Sequence, residues 1–138
     1  ITEARYGVLV EQYAFNNDSS GAGEFRGGNG VVLDYRILSD NADISSFFGR
    51  GITAPWGIDE GADGSCNYVE VFDSDGKAKA KFSRKSRYAL NKGDLLRLVT
   101  GNGGGWGNPA KRSKIDVLND VKNGFITEKD AKTIYNVT

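Results

Sequence analysis

The chain contains no histidine and no methionine, and it contains a single cysteine among its 138 residues. Without histidine, it holds neither a Ser-His-Asp or Cys-His nucleophile nor a histidine-based metal site. With one cysteine it forms no internal disulfide, and we expect Cys66 to be a small, buried and inert thiol. Because the sequence starts at Ile1 instead of methionine, we expect a processed product or a piece of a longer polypeptide.

Net charge and long apolar runs are also lacking. The 18 basic and 18 acidic residues give a formal net charge of +0, whereas proteins that bind nucleic acid carry a basic surface. No apolar run approaches the ~18 residues of a membrane span, and no signal peptide is visible. We therefore expect neither a nucleic-acid nor a membrane partner, and we expect the chain to be cytoplasmic. Its length suits one domain over residues 1–138.

Glycine, in contrast, is plentiful, and it is concentrated in residues 101–109, which we call the glycine loop. Five of its first seven residues are glycine, so its backbone is free to adopt positive φ or to press against another group. Two interpretations stay open. Either the backbone N–H groups face an anion or a neighbouring backbone, or the loop is a turn that makes room for Trp106.

Two phosphate-binding motifs are excluded in the glycine loop. A P-loop requires Gly-Lys-Ser/Thr, which occurs nowhere in the chain. The dinucleotide motif requires G-x-G-x-x-G. Counting from Gly101 or Gly103, its third glycine position is taken by Trp106 or Asn108.

Alternating apolar residues before the glycine loop predict strands. We place them at residues 5–15, 31–38, 42–48, 67–73, 77–83 and 95–99. A short rung is predicted at residues 24–26 and a tight turn at residues 27–30. Asp-Gly between alternating runs predicts a hairpin around Ser74-Asp75-Gly76. The fold class is therefore mainly β, a mostly antiparallel sandwich or barrel-like arrangement.

After the glycine loop the apolar period becomes helical, so residues 110–138 form a tail of two short C-terminal α-helices behind the β-rich residues 1–100. Ser113 is a favourable N-cap for the first helix, and Asn123-Gly124 ends it. Thr127 caps the second helix together with Asp130. The side chains expected to face inward are Ile115, Leu118, Val121, Ala131, Ile134 and Tyr135.

Residues 49–65 form a long loop that we expect to be ordered and anchored by Trp56. Loops of this length in compact domains are usually functional or disordered. Its three acids are Asp59, Glu60 and Asp63. Their spacing matches no calcium-binding loop, so we interpret them as solvated side chains rather than as metal ligands.

A basic strand follows the long loop. Lys77, Lys79 and Lys81 alternate with apolar residues and therefore share one face of their strand. They either discourage edge-to-edge strand pairing or, with the basic residues that follow at positions 84–87, dock an acidic partner.

Residues 18–32 read D-S-S-G-A-G-E-F-R-G-G-N-G-V-V. This stretch resembles the hydantoinase B/oxoprolinase family, whose members carry D-S-x-G-A-G-x-x-R-G-G-x-G-V. Residues 103–109, G-G-G-W-G-N-P, and residues 120–124, D-V-K-N-G, resemble the G-G-G-x-G-x-P loop and the D-V-x-x-G helix of the same family. Arg50 and the Pro55-Trp56-Gly57 run fit the pattern between them.

The resemblance implies that the chain is the C-terminal region of a B-type subunit from an ATP-dependent enzyme. Such an enzyme opens a cyclic amide, such as a hydantoin or 5-oxoproline, or is a related carboxylase of acetone or acetophenone. The resemblance also implies two partners, a hydantoinase A-like subunit and the rest of the B-type polypeptide. It places no cofactor in this chain and leaves ATP and a divalent metal to the complete complex. No catalytic residue and no metal ligand is carried over.

Three hypotheses follow for the ligand or interface candidates, which are Arg26, Gly27, Gly28, Arg50, Trp56, Gly103, Gly104, Gly105 and Trp106. In the first, the chain is a structural part of a hydrolase site, with the glycine loop at the substrate or the subunit junction. In the second, it is a non-catalytic module that docks the A-like subunit. In the third, it is a stand-alone β-sandwich that binds sugar through Trp56 and Trp106, which requires exposed indole rings.

Overall fold

The computed structural model describes residues 1–18 and 21–137. Its helices are α1 (Thr2–Tyr6), a short 3₁₀ helix (Pro109–Lys111), α2 (Lys114–Lys122) and α3 (Glu128–Thr133). Its strands are β1 (Val8–Phe15), β2 (Val31–Ile37), β3 (Ala42–Phe47), β4 (Tyr68–Phe72), β5 (Ala78–Phe82), β6 (Arg84–Leu90) and β7 (Leu95–Val99). The mainly antiparallel β class with short C-terminal helices is confirmed. Ser19 and Ser20 of the D-S-x-G-A-G motif lie outside the described residues.

The described residues form two compact units, each assembled from three chain segments. Unit 1 consists of Ile1–Ala14, Val31–Gly51 and Asn67–Thr100. Unit 2 consists of Phe15–Gly30, Ile52–Cys66 and Gly101–Thr138. Most of the strand residues therefore belong to unit 1, and the glycine loop and the helical tail belong to unit 2.

Unit 1 is built on a five-stranded sheet in the order β1-β2-β7-β4-β5 and a two-stranded sheet of β3 and β6. Strand β7 is antiparallel to both of its neighbours, β2 and β4. In the observed register, Leu98 lies opposite Leu33 of β2 and Val69 of β4. Residues from both sheets share one hydrophobic core. Its buried members are Ile37, Val69, Val71, Leu90 and Leu96.

The predicted strand at residues 5–15 starts too early, and one strand is missing from the prediction. Gly7 adopts φ 59, the left-handed conformation that ends helix α1, so β1 begins only at Val8. The unpredicted strand β6 pairs with β3, and its Tyr88 and Leu90 pack in the core. The predicted hairpin is confirmed, with Gly76 at φ 82 in the turn between β4 and β5.

Two of the three lysines that were predicted to share a strand face, Lys79 and Lys81, lie in β5 and form ion pairs within unit 1. The Lys79 ammonium lies 2.6 Å from a carboxylate oxygen of Asp94, and the Lys81 ammonium lies 3.0 Å from Glu70. Strand β5 is at the edge of its sheet. Because two of the three lysines are already neutralised, these contacts favour protection of the edge over docking of an acidic partner.

The helical tail follows the predicted capping pattern, except that the Ser113 side chain makes no capping hydrogen bond. Helix α2 starts after Ser113 and ends at Asn123, which is followed by Gly124 at φ 73. The capping box of α3 is present, with Thr127 and Asp130 bonded reciprocally. Both predicted helices are therefore confirmed. Among the described residues, no helix has the length and apolar character that a membrane crossing demands.

The predicted inward face of α2 is wrong at Ile115 and Leu118 and right at Val121, which packs against the unit 2 core. Ile115 and Leu118 are 72% and 54% exposed, whereas Val117 and Asp120 are buried. The helix is rotated because Asp120 forms ion pairs inside unit 2. In the second helix Ala131, and just after it Tyr135, are buried as predicted, whereas Ile134 is 36% exposed and the prediction is wrong there. The unit 2 core consists of Ala22, Val117, Ile126, Ala131, Tyr135 and Val137, and Cys66 is half-buried rather than fully buried.

Candidate functional site

The glycine loop is bonded on one side to residues 21–28 of the D-S-x-G-A-G-x-x-R-G-G motif. The N–H group of Gly103 donates to the carbonyl oxygen of Gly28 at 2.9 Å, and Trp106 exchanges two hydrogen bonds of 2.9 Å with Phe25. The predicted rung at residues 24–26 is confirmed by this bridge. Residues 27–30, however, contain no turn, because their backbone lies against Gly103.

The other side of the glycine loop is bonded to the long loop. The N–H groups of Gly105 and Gly107 donate to the carbonyl oxygens of Ala62 and Ile58, at 2.9 and 3.0 Å. Ile58 in turn donates its N–H to the carbonyl oxygen of Gly105 at 3.0 Å. The N–H groups of the loop therefore meet neighbouring backbone, and the interpretation as an anion cradle loses its support.

Close approach of backbones explains the glycines. A Cβ atom on Gly105 would overlap the carbonyl oxygen of Ala22, and one on Gly27 would overlap the carbonyl oxygen of Gly103. By contrast, a Cβ on the adjacent Gly28 would meet nothing within 4 Å. Positive φ occurs in the described part of the loop only at Gly107. The requirement at Gly104 and Gly105 is thus space, not a left-handed backbone, whereas a Cβ on Gly103 would lie 3.3 Å from the backbone nitrogen of Gly28.

Arg26 joins two of the family motifs by a buried ion pair. Its Nε lies 2.9 Å from Oδ2 of Asp120, and its Nη2 donates to Oδ1 of the same carboxylate at 3.2 Å. Its Nη1 donates to the side chain of Asn29 and to the carbonyl of Gly27. Arg112 contributes a second guanidinium, 2.8 Å from Asp120. Arg26 therefore holds the R-G-G segment against the D-V-x-x-G helix.

Asn102 is a structural residue that the sequence did not single out. It is fully buried, and its amide group donates to the carbonyl of Asp18 and accepts from the N–H of Gly30, both at 2.7 Å. Its backbone N–H donates to the Ser65 hydroxyl at 2.9 Å. One asparagine therefore connects its own segment to the other two segments of unit 2. The sequence feature that could have identified Asn102 is its position as an asparagine inside a run of glycines.

The remaining candidates lie apart or at the surface. Arg50 belongs to unit 1 and adopts φ 48, with its carbonyl oxygen accepting from the N–H of Asn67. Trp56 is 62% exposed, so the long loop is held by its backbone contacts and not by a buried Trp56 ring. Gly104 packs against the backbone of Trp56. None of these contacts tests whether a ligand binds.

Three large apolar side chains lie together on the surface of unit 2. Phe25, Ile58 and Trp106 are 61%, 56% and 46% exposed. Trp106 forms isolated β-bridges with both of the others, and its ring centroid lies 5.6 Å from that of Phe25. We call this surface the Trp106 patch.

The acids of the long loop are bonded to protein groups. Asp63 accepts the N–H of Gly57 at 2.8 Å, and Glu60 accepts the Asn108 amide at 2.7 Å. Across residues 1–18 and 21–137, no group of three metal-ligating side chains is present. Burial raises the pKa of the Tyr135 phenol above its usual value.

The model of the hydantoinase B/oxoprolinase family matches residues 1–109. The chain belongs to this family. It is 33% identical over 138 residues to a Pseudomonas sp. (strain NS671) protein provisionally assigned as the B component of a D-/L-hydantoinase, covering 99% of this chain and 23% of that protein. It is 31% identical over 145 residues to the beta subunit of the Pseudomonas jessenii caprolactamase, covering 99% and 24%.

Solved structures show the same fold. The crystal structure of the ATP-dependent caprolactamase from Pseudomonas jessenii superposes with a TM-score of 0.80, 28% identity, and coverage of 99% of this chain and 24% of that chain. Nucleotide-free acetone carboxylase superposes with a TM-score of 0.77 at 17% identity, over 96% of this chain and 22% of that chain. The second likeness shows the fold alone. The chain therefore spans about a quarter of the length of each of these relatives and solved structures.

Proposed function

We propose that the chain is the C-terminal domain of a B-type subunit in an ATP-dependent cyclic-amide hydrolase, and that it braces this subunit without being catalytic alone. Family membership and the likeness to caprolactamase support the reaction class. The proposed substrate is a ring amide of the hydantoin or 5-oxoproline type. A hydantoinase A-like subunit and the rest of the B-type polypeptide are the proposed partners, in the cytoplasm.

The observation that carries the bracing role is the use made of the glycine loop. The N–H groups of Gly103, Gly105, Trp106 and Gly107 all donate to backbone carbonyls of the two adjoining segments. A loop whose donors are used in this way fixes the positions of its neighbours and offers few groups to a substrate. The chain also contains no histidine to activate a nucleophile. ATP and a divalent metal would be bound elsewhere in the complex.

A hybrid protein tests this proposal. The matched region of the caprolactamase beta subunit is replaced by this chain, and ATP-dependent caprolactam hydrolysis is measured after assembly with the partner subunit. We expect the hybrid to be active, the beta subunit lacking the region to be inactive, and the chain alone to be inactive. Turnover by the purified chain, or an assembled hybrid with no turnover, would contradict the proposal.

Exposure of the indole rings favours a second candidate, sugar binding by a stand-alone module. Trp56 and Trp106 are 62% and 46% exposed, as a stacking platform requires. They are the two tryptophans of the chain, so their fluorescence reports directly on such binding. Titration with neutral oligosaccharides should leave the emission unchanged under the main proposal, and a saturable change would favour the module.

A further inference from the structure

We propose that the Trp106 patch is the surface on which the rest of a B-type polypeptide packs. The inference rests on the proposed function and assigns that function a docking surface. Phe25, Ile58 and Trp106 come from three different segments of unit 2. Apolar surface that is brought together from separate segments and left exposed to water marks a contact site more often than scattered single side chains do.

The patch is fixed by backbone bonds. The two N–H···O bonds between Trp106 and Phe25 are both 2.9 Å long. On the other side, the N–H of Gly107 donates to the carbonyl of Ile58 at 3.0 Å. A surface held in this way loses little conformational freedom on binding, which favours affinity. Tryptophan and other aromatic residues are also enriched at the centres of protein interfaces.

The occupant follows from the size of the proteins that contain this fold. In caprolactamase the matching region is 24% of the chain, so about three quarters of that polypeptide lies outside the match. Nearly all of unit 2 is included in the match, because 99% of this chain is covered. A larger polypeptide that carries this domain has to contact it at some surface, and burial of aromatic side chains is the most favourable choice.

An acidic turn at the edge of the patch adds a charge to the recognition. Asp59 and Glu60 follow Ile58 directly and adopt φ 52 and 70. The turn is closed by a bond of 3.0 Å from the N–H of Gly61 to the carbonyl of Ile58. Two consecutive residues other than glycine in this conformation are uncommon. Both residues are exposed and follow Ile58 in sequence, and the Glu60 carboxylate also accepts the Asn108 amide, so we expect the docking surface of the partner to be apolar with a basic edge.

Radical footprinting of the hybrid tests the inference without any substitution. The side chains of Phe25, Ile58 and Trp106 are labelled by hydroxyl radicals in the free chain and in the hybrid, and the rates are read by mass spectrometry. We expect the labelling rate of Trp106 to fall at least tenfold in the hybrid. An unchanged rate in a hybrid that hydrolyses caprolactam would overturn the inference and leave the proposed function standing. A hybrid that assembles but is inactive would overturn both.

Paired variants give a second readout. Phe25→Ser with Trp106→Ser changes the patch, and Ile115→Ser with Leu118→Ser changes an equally exposed apolar pair on α2. The binding partner is a caprolactamase beta subunit that lacks its matched region. We expect the patch variant to bind it at least tenfold more weakly than the parent chain does, and the α2 variant less than twofold more weakly. Equal weakening by both would contradict the assignment. Self-association of the free chain that the patch variant abolishes would identify a second copy as the occupant and also contradict it.

Discussion

Unit 1 buries aliphatic side chains against its hydrogen-bonded strands, whereas around the glycine loop of unit 2 backbone lies directly against backbone. The unit 1 core is made of aliphatic residues such as Val69 and Val71, which are fully buried between hydrogen-bonded strands. In unit 2 the glycine loop runs between two other segments with its amide groups bonded to both. The same chain therefore packs in two ways. Large side chains fill the interior of unit 1, and the lack of side chains lets backbone segments of unit 2 contact one another.

The difference determines which substitutions each unit tolerates. A core of aliphatic side chains accepts changes of similar volume, because its neighbours adjust. Backbone that lies against backbone has no such freedom, because a carbonyl oxygen in a hydrogen bond cannot move away from an added methyl group. Unit 2 also depends on a buried carboxylate, Asp120, that pairs with two guanidinium groups. Its stability is therefore concentrated in a few positions.

Asp120→Ala is expected to give the largest effect. The substitution leaves the half-buried guanidinium groups of Arg26 and Arg112 without their carboxylate, and loss of one partner from a buried pair costs up to about 3–5 kcal/mol. Urea unfolding followed by tryptophan fluorescence measures the change, because both tryptophans belong to unit 2. Asp116→Ala, on the exposed side of the same helix, is the control, with a loss below about 1 kcal/mol. Equal losses for the two variants would show that the ion pairs do not hold unit 2 together.

Gly27→Ala is expected to come next. The added Cβ overlaps the carbonyl oxygen of Gly103, and overpacking against a fixed group costs about 3 kcal/mol, the upper part of the usual range. The neighbouring Gly28→Ala is a matched control, because its Cβ meets nothing within 4 Å. It should stay within about 0.5 kcal/mol of the parent. Similar fluorescence-monitored unfolding of the two variants would contradict packing by backbone.

Ile37→Val tests the other side of the comparison. Ile37 is 2% exposed in the unit 1 core, and removal of one methylene there costs about 0.5–1.5 kcal/mol. Unfolding followed by far-ultraviolet circular dichroism measures the loss. Ile52→Val serves as the control, since Ile52 is 95% exposed. If the loss at Ile37 matches or exceeds that of Gly27→Ala, the two units do not differ in tolerance.

Tyr135→Phe is expected to have the smallest effect and to act at alkaline pH. Burial raises the pKa of the Tyr135 phenol in the folded state, so the unfolded state loses that proton first as the pH rises through about 10. The neutral phenol therefore contributes stability that is complete below that pH and is lost towards the raised pKa. The variant should lose less stability than the parent above pH ~10. Tyr13→Phe, at an exposed residue, should behave as the parent does, and identical profiles for all three would contradict this.

Local patterns predicted much of the fold. Alternation located most of the strands, and Asp75-Gly76 located the hairpin, because each depends on residues that are close in sequence. The same holds for the capping box of Thr127 and Asp130. Helix α1 was missed because it is five residues long and buries none of its side chains, so it shows no apolar period.

Contacts between distant residues were out of reach. The rotation of α2 depends on the pairing of Asp120 with Arg26, which lies 94 residues away, and no local pattern encodes it. The sequence left open whether the glycine loop meets an anion or a neighbouring backbone, since both require bare N–H groups. The motifs singled out Arg26 and Gly103–Gly105, but only the fold shows that Arg26 pairs with Asp120 and that Gly103 bonds to Gly28.

Hydrogen exchange of the loop amides tests the packing of unit 2 most directly. The N–H groups of Gly103, Gly105, Trp106 and Gly107 each have a backbone acceptor at 2.9–3.0 Å. Exchange followed residue by residue by nuclear magnetic resonance should therefore show protection at all four that is lost only when unit 2 opens. Gly27→Ala should reduce the protection at these four positions, and Gly28→Ala should leave it unchanged. Exchange of the four amides in the parent at the rate of an unstructured peptide would contradict the account.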